Sequence, residues 1–326
     1  EGLSAHMNAG YDYAKSNGDN NTDPKASWGF REPEKGVEDY TQENKTELLN
    51  LYFNYKKEFG IHNIDATAGY EWQHYYKEGF NHNRPWLKTD DVYVGEKTSP
   101  YKSEYFLVSF FGRLNYSLMD KYLITATLRN DGSSRFQNNK WGLFPSVAAA
   151  WKINNESFVA DIEQISDLKL RLGYGITGQQ DIGNFYPSIP IYRSSEQGAY
   201  YQFGNQFVST LRPDPYDANI KWEETTTYNA GLDFGLFNQK ITGTFDIYKR
   251  ITKDLIGKTP IAAGTNFSNF LTTNVGEMEN KGYEISLTYH AITTKDMSLE
   301  FGANLSHNEN TITALSKVKS MEAEAS

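Results

Sequence analysis

Strict alternation of apolar and polar residues over long runs is the feature that most constrains the fold of this chain. The clearest run, residues 122–129, divides into the set Tyr122, Ile124, Ala126 and Leu128 and the set Leu123, Thr125, Thr127 and Arg129. A period of two places the two sets on opposite faces of a β-sheet. One face is almost entirely apolar and the other mixes Thr with Arg. Both a membrane barrel and a soluble sandwich have strands of this kind.

The same alternation recurs along most of the chain. It is strong in residues 168–177, 228–236, 241–248 and 283–290. Many of these runs approach the ~10 residues that a tilted transmembrane β-strand needs. We therefore predict an all-β chain of roughly a dozen strands.

The lengths of the connections separate the two architectures. Long polar connections at 15–44, 77–101, 178–221 and 253–272 alternate with short turns at 59–60, 119–120, 238–239 and 293–296. Outer-membrane barrels have short periplasmic turns and longer extracellular loops, whereas a sandwich has no reason to keep its long loops on one side. The pattern favours part of an antiparallel, up-and-down transmembrane β-barrel.

Three longer sequence blocks carry a family resemblance. They are LRNDGSSRFQNNKWGLFPSVAAAW at 128–151, ISDLKLRLGYGITGQQDIGN at 165–184 and NVGEMENKGYEISL at 274–287. In this order the blocks resemble SusC/RagA-type TonB-dependent outer-membrane transporters. Residues 46–75 resemble the same family more loosely.

The resemblance implies a location, a mechanism and partners. Members of the family form a barrel of about 22 strands around an N-terminal plug in the cell outer membrane. TonB and the proton-motive force drive import of glycans or peptides, usually with a SusD-like surface lipoprotein. We expect residues 1–326 to be an internal part of the barrel domain. The plug, the final strands and the N-terminal region that contacts TonB would then lie outside it.

Composition agrees with this interpretation and excludes some alternatives. Hydrophobic residues make up only 38% of the chain, but aromatic residues reach 15% and include 23 Tyr. A barrel with an apolar outer face, a polar lumen and aromatic girdles has this profile. The net charge of −9 gives no basic footprint for nucleic acid. The absence of cysteine excludes Cys nucleophiles and zinc thiolates.

Two short motifs are better explained as structure than as cofactor sites. Residues 173–178 match G-x-G-x-x-G, but a dinucleotide site requires a helix to follow, and QQDIGN is no helix. Asp19, Asn21 and Asp23 have calcium-like spacing, yet Pro24 stands where the calcium loop needs glycine. We expect no cofactor, with calcium in an outer loop as the less favoured alternative. His74 is expected at the surface.

No catalytic constellation emerges from the sequence. Glu223 and Glu224 are adjacent, so in a strand they face opposite ways and cannot act together as acid and base. No nucleophile elbow is present. We predict that the chain is not an enzyme. An extracellular all-β glycan-binding protein or glycosidase is the alternative to a transporter.

Two sets of residues are assigned candidate roles. Contacts to cargo or to a lipoprotein lid are predicted for the aromatic residues of the longest insertion, Phe185, Tyr186, Tyr192, Tyr200, Tyr201, Phe203 and Phe207. Packing of these rings on one another is the competing explanation. Contact with outer-membrane lipid is predicted for Tyr228, Leu232, Phe234, Phe245, Ile247, Tyr283, Ile285 and Leu287. The alternate positions, among them Asn229, Asp233, Thr244 and Glu284, would face the lumen or plug.

Overall fold

The computed structural model describes residues 2–21, 37–84, 88–89, 92–93, 97–183, 185–194, 200–261 and 270–315. In chain order the strands are β1 (Gly2–Asn21), β2 (Val37–Phe59), β3 (His62–Arg84), β4 (Lys88–Thr89), β5 (Val92–Tyr93), β6 (Lys97–Leu118), β7 (Tyr122–Ser133), β8 (Trp141–Lys152), β9 (Ile165–Gln179), β10 (Tyr192–Ser194), β11 (Tyr201–Phe203), β12 (Gln206–Val208), β13 (Leu211–Pro213), β14 (Glu223–Leu236), β15 (Ile241–Pro260), β16 (Phe270–Thr293) and β17 (Ser298–Leu315). The only α-helix among the described residues is the single turn α1 (Ser157–Ala160).

Eleven of these strands form one antiparallel, up-and-down sheet. The order is β1-β2-β3-β6-β7-β8-β9-β14-β15-β16-β17, so each long strand pairs with the long strands before and after it in the chain. The six short strands form three separate pairs, β4-β5, β10-β13 and β11-β12. The all-β, up-and-down prediction is confirmed. No helix in the described part of the chain combines the length and apolarity needed to cross a membrane.

The chain divides into two compact units. Residues Met7–Leu51 and Glu71–Val108 form the smaller unit, and Glu1–His6, Tyr52–Tyr70 and Ser109–Ser326 form the larger unit. In the smaller unit His74 Nδ1 lies 2.9 Å from Glu47 Oε2, and its Nε2 lies 3.1 Å from Glu104 Oε2. The ring stacks on Phe106 at 4.2 Å. His74 lies within β3 rather than in a loop, and neighbouring strands supply partners on both sides of its half-buried ring.

The long strands extend further than their apolar alternation indicated. The predicted loops 15–44, 77–101 and 253–272 are too wide at both ends, because strands continue to Asn21, Arg84 and Pro260 and resume at Val37, Lys97 and Phe270. Polar side chains pair across these extensions, as Lys15 Nζ does with Glu43 Oε1 at 2.6 Å. The backbone hydrogen bonds between strands continue outside the apolar band, because strand pairing does not require apolar side chains.

The positions of the short turns agree with the prediction to within one residue. Met119 and Asp120 form a turn with φ of 53° at both residues, and Phe237, Asn238 and Gln239 also have positive φ. The first turn lies at Gly60 and Ile61, one residue later than expected.

One face of the larger unit carries a continuous apolar row. Cross-strand pairing joins Leu170 to Leu232, Leu232 to Phe245, Phe245 to Ile285 and Ile285 to Leu305. The register places all eight residues predicted to contact lipid on this face. That the face contacts lipid stays a prediction.

Aromatic residues border this apolar face at both ends. Tyr174, Tyr228 and Tyr283 mark the edge near the long connections, where the Tyr174 and Tyr228 rings lie 5.3 Å apart. The opposite edge, near the short turns, carries Tyr122, Trp151, Tyr289 and Phe301. At a rise of about 3.3 Å per residue and a tilt of about 40°, the run from Tyr228 to Leu236 spans about 20 Å of bilayer thickness. That height is close to the ~25 Å apolar band of outer-membrane barrels.

The aromatic edge near the short turns is tied to the connection between β8 and β9. Glu156 Oε1 accepts hydrogen bonds from Tyr122 Oη at 2.6 Å and Trp151 Nε1 at 3.1 Å, and Glu156 Oε2 accepts one from Lys121 Nζ at 3.0 Å. The bonds from Tyr122, Trp151 and Lys121 hold the pKa of Glu156 down at about 2. The carboxylate therefore stays ionised and joins the start of β7 to the end of β8.

The two end strands of the sheet generate a prediction about folding. Within the described residues, β1 and β17 each pair with a single neighbouring strand. An unpaired strand edge exposes backbone donors and acceptors, and hydrocarbon cannot satisfy them. We expect residues 1–326, refolded alone in detergent, to give no heat-resistant monomer on gel electrophoresis. A compact heat-modifiable band from this chain alone would contradict the expectation.

Candidate functional site

The end of the sheet that carries the long connections holds a packed layer that we call the outer cap. The outer cap comprises residues 133–144, 178–183, 185–194 and 217–222. It joins the β7–β8 connection to the insertion between β9 and β14, and it contains most of the buried side chains among the described residues. These are Ser133, Arg135, Phe136, Phe144, Ser188, Ile220 and Trp222.

Trp222, directly before β14, lies at the centre of the outer cap. Its ring is 5.5 Å from that of Phe136 and meets Phe144 edge-on at 5.4 Å. Trp222 Nε1 donates to the carbonyl oxygen of Lys140 at 3.0 Å, so the polar atom of this buried ring is satisfied. A Cβ on Gly178 would lie 2.1 Å from Phe144 Cζ, so only glycine at that position leaves space for the ring.

Arg135 fastens the insertion to the β7–β8 connection. Its side chain is 3% exposed and donates from Nη1 to the Gln180 carbonyl oxygen at 3.0 Å and to Asp181 Oδ1 at 2.8 Å. The guanidinium hydrogen bond, with a second from the Gly183 backbone, lowers the pKa of Asp181. Ser188 Oγ donates to the Arg135 carbonyl oxygen at 2.7 Å. Segments far apart in sequence are thereby held as one body.

Further polar contacts anchor the outer cap to β15 and β16. Lys221 Nζ pairs with Asp254 Oδ2 at 2.7 Å. Asn274 donates from Nδ2 to the carbonyl oxygens of Lys221 and Asp254 at 3.0 and 2.7 Å. Asn274 opens the third sequence block described above, so this side chain links that block to the outer cap.

The predicted contact residues of the insertion fall into two groups. Phe185 and Tyr186 are half-buried in the outer cap, and the Arg135 guanidinium lies 5.4 Å from the Phe185 ring. The packing explanation fits these two residues. Tyr192 and Tyr200 are exposed, as are all three aromatic residues of the β11–β12 pair.

The β11–β12 pair is the aromatic hairpin, residues 201–208. Tyr201 pairs with Val208 and Phe203 with Gln206 across the hairpin. The Tyr201 and Phe203 rings are 4.6 Å apart, yet the two side chains are 59% and 64% exposed, and Phe207 is 68% exposed. Because Phe207 pairs with Gln202, it lies on the opposite face of the hairpin from Tyr201. Both faces therefore present aromatic surface to solvent, and a binding role for these residues stays a prediction.

A charged network lies on the face opposite the apolar row. Arg171 Nε donates to both carboxylate oxygens of Asp233, at 2.9 and 3.1 Å, and Arg171 Nη2 donates to Asp246 Oδ2 at 2.9 Å. Lys169 Nζ lies 3.4 Å from Asp233 Oδ2. A Cβ on Gly231 would be 2.7 Å from Arg171 Nη2, so the glycine lets the guanidinium cross β14 to reach β15.

The charged network gives one of the residues predicted to face the lumen a structural role. Asn229, Asp233, Thr244 and Glu284 do share the face opposite the apolar row. Asp233 is not a free polar position, however, because it bridges Arg171 and Lys169. Alternation alone gives the face of a residue but not its partners.

No group of three or more His, Asp or Glu residues in the described ranges is arranged to hold a metal ion. Of the calcium-like triplet, Asp19 and Asn21 belong to β1. Asp23 lies outside the described residues.

Sequence reasoning missed the residues that build the outer cap. Ile220 lies at the end of the predicted connection 178–221 and Trp222 directly after it, and neither has a periodic pattern around it. The available signal was indirect, since the block at 128–151 holds Arg135, Phe136 and Phe144 in a segment with little alternation.

The central position of Trp222 predicts a local loss of structure on truncation. Trp222→Ala should remove packing worth about 3–5 kcal/mol from the outer cap, as large-to-small core substitutions do. We expect faster hydrogen exchange in residues 133–144 and 185–192 of the full-length protein, with the sheet still heat-resistant. Trp141→Ala, at a site 52% exposed in the same block, is the matched control. Equal exchange in the two variants would contradict the central role of Trp222.

Comparison with known proteins assigns the family. Residues 2–320 match the family described as TonB dependent receptor-like, beta-barrel. The chain is 45% identical over 282 residues to TonB-dependent receptor SusC of Bacteroides thetaiotaomicron, a match that covers 85% of this chain and 28% of that protein. It is 36% identical over 293 residues to TonB-dependent receptor P3 of Formosa agariphila, covering 86% and 28%. The chain thus spans little more than a quarter of the length of these relatives.

Solved structures give the same fold. The RagAB peptide transporter superposes with a TM-score of 0.80 at 25% identity, covering 97% of this chain and 35% of that one. The copper transporter OprC superposes with a TM-score of 0.61 at 15% identity, covering 95% and 44%, which speaks for the fold alone. With an up-and-down sheet and a family match along nearly its whole length, the chain belongs to the outer-membrane TonB-dependent receptors, as part of their β-barrel.

Proposed function

We propose that the protein containing this chain imports a glycan or peptide nutrient across the outer membrane. In this proposal TonB supplies the energy through an N-terminal region outside these residues, and a SusD-like lipoprotein covers the outer mouth. The SusC match supports such a transporter, and the likeness to the RagAB peptide transporter supports a partner-assisted mechanism.

The observation that carries the proposal is the exposed aromatic hairpin in the insertion that begins and ends in the outer cap. Tyr and Phe rings supply large contact areas, and the Tyr hydroxyl adds a polar tip, which suits both sugar rings and peptide side chains. Binding residues concentrate in loops that a rigid scaffold positions. Arg135 fastens the start of the insertion, Trp222 packs at its end, and the β10–β13 pair flanks the hairpin. Exposed aromatic surface gains nothing for a lone chain in water, so contact with cargo or lid is the role that uses it.

The charged network supports a passage or plug surface on the opposite face of the sheet. Arg171, Asp233 and Asp246 satisfy one another, so the face is polar without being strongly charged. A soluble glycan-binding sandwich would instead pack its apolar face against a second sheet. The glycosidase alternative requires two carboxylates aimed at one bond, and Glu223 and Glu224 occupy consecutive positions of β14.

The apolar row predicts sensitivity to charge on one face of the sheet. Phe245→Arg in the full-length protein should lower the free energy of unfolding in liposomes by about 2–4 kcal/mol, because arginine would enter the bilayer near its midplane. Thr244→Arg, one residue earlier and on the opposite face, should cost much less. Urea titration followed by heat-modifiable gel mobility measures both. Equal costs would show that the assigned faces are wrong.

The aromatic hairpin predicts a specific loss of function. Replacing Tyr201, Phe203 and Phe207 together by Ser should reduce nutrient uptake or co-purification of the surface lipoprotein severalfold. The outer cap does not depend on these exposed rings, so folding should be unaffected. Growth on the cargo and pull-down from membranes measure the two effects separately.

The same hairpin supplies the control. Gln202→Ala with Gln206→Ala changes polar positions of both strands and leaves the rings in place, so uptake and co-purification should stay normal. Unchanged uptake and unchanged co-purification in the triple Ser variant would reduce the hairpin to a surface feature without a binding role.

A further inference from the structure

The short turns of the larger unit, and the β8–β9 connection near the same edge, expose large apolar side chains. These residues are Ile61, Met119, Phe158, Phe237 and Met297, and all are exposed. Tight turns ordinarily carry Gly, Asn, Asp, Pro or Ser, which suit the backbone and the solvent. The repeated choice of apolar residues in successive turns requires a physical reason.

Two of these residues also occupy an unfavourable backbone conformation. Met119 has φ of 53° and Phe237 has φ of 54°. L-residues with bulky side chains rarely adopt this left-handed region, which glycine, asparagine and aspartate tolerate far better. The side chains remain 47% and 53% exposed, so burial within the described chain does not compensate for the conformation. A contact outside the chain would account for both features.

The turns are adjacent to the aromatic edge of the apolar face. Met119 precedes Tyr122 in the chain, and its backbone nitrogen donates to the Ile61 carbonyl oxygen at 2.7 Å, which joins two neighbouring turns. Phe237 follows Leu236, which pairs with Ile241, and Ile241 pairs with Tyr289 of the aromatic edge.

Phe158 is connected to the same edge through Glu156. The Glu156 carboxylate accepts hydrogen bonds from Tyr122 and Trp151, so the short helix α1 that follows starts at the level of these rings. Val159 of α1 is buried against the protein, whereas Phe158 is 66% exposed. The helix thus presents one apolar side chain outward at the aromatic edge.

The distance of the turns from this edge identifies the medium around them. A tilted strand advances about 2.5 Å per residue along the membrane normal, and the turn at Met119 is closed by the hydrogen bond from Lys121 N to the Leu118 carbonyl oxygen, so Met119 lies at most about 8 Å beyond Tyr122. Girdle aromatics sit at headgroup level, and the polar interfacial layer of a bilayer is about 5–8 Å thick on each side. The tips therefore lie within, or at the limit of, the headgroup layer rather than in bulk water.

We propose that Met119, Phe158 and Phe237 insert into the phospholipid interface of the periplasmic leaflet and anchor this rim of the barrel at a fixed depth. Apolar side chains gain free energy at the boundary between headgroups and acyl chains, which compensates for the left-handed backbone at Met119 and Phe237. Lys240 Nζ lies 5.9 Å from the Tyr289 ring, at the level where a cation can contact lipid phosphate. The proposal is independent of the cargo.

Depth-dependent quenching tests the proposal on the full-length protein. Met119→Cys and Phe237→Cys, each as the single cysteine of the protein, are labelled with bimane and reconstituted in nanodiscs of phosphatidylethanolamine and phosphatidylglycerol. This chain has no cysteine of its own. Nitroxide-bearing phospholipids should quench both labels severalfold more strongly than a label at Asn205→Cys, in the turn of the aromatic hairpin on the outer side. Iodide in solution should quench them severalfold less.

The contrary outcome is equally clear. Iodide quenching as strong as at Asn205→Cys, with no excess quenching by nitroxide lipid at either position, overturns the proposal. The apolar turns would then be free for a periplasmic protein instead. Phe158→Cys provides an independent label outside the tight turns, and a position as accessible to iodide as Asn205→Cys would also count against insertion.

Discussion

Backbone hydrogen bonding between consecutive strands is the constraint on which the rest of this structure depends. In hydrocarbon no water replaces a missing partner, so every backbone group of the membrane-spanning part must be paired within the sheet. Each long strand accordingly pairs with the long strands that precede and follow it. Once that pairing is set, the register decides which side chains meet. Leu232 lies between Leu170 and Phe245, and the alternate position Gly231 lies between Arg171 and Asp246.

One strand register gives the two faces of the sheet different kinds of side-chain contact. On the apolar face, large apolar side chains lie next to one another, and aromatic residues border the apolar band at both ends. On the opposite face, charged side chains are stabilised because they form ion pairs across neighbouring strands. Arg171 reaches two carboxylates, and Gly231 leaves the space for it to do so. The charged network is therefore a product of strand pairing rather than of any local motif.

The two ends of the sheet differ as strongly as its faces. At the long-connection end, Trp222 and Arg135 build a second small core, and the insertion that starts and ends there carries the exposed aromatic hairpin. At the short-turn end, Glu156 gathers Tyr122, Trp151 and Lys121 around one carboxylate, and large apolar residues occupy the turns. One end thus presents an exposed aromatic hairpin, and the other places large apolar side chains close to the aromatic edge.

The sequence by itself determined the strand pattern, the faces, the up-and-down topology and the turn positions to within a residue. Period-two alternation and loop length are local properties of the sequence. They can be recognised without knowing which residues contact one another in the folded protein. The extent of the strands was underestimated, because polar extensions such as Lys15 opposite Glu43 pair without any apolar signal. Only the tertiary structure decided which insertion aromatics are packed and which are exposed. Phe185 depends on Arg135, and Trp222 depends on Phe136 and Phe144, across separations that no sequence period spans.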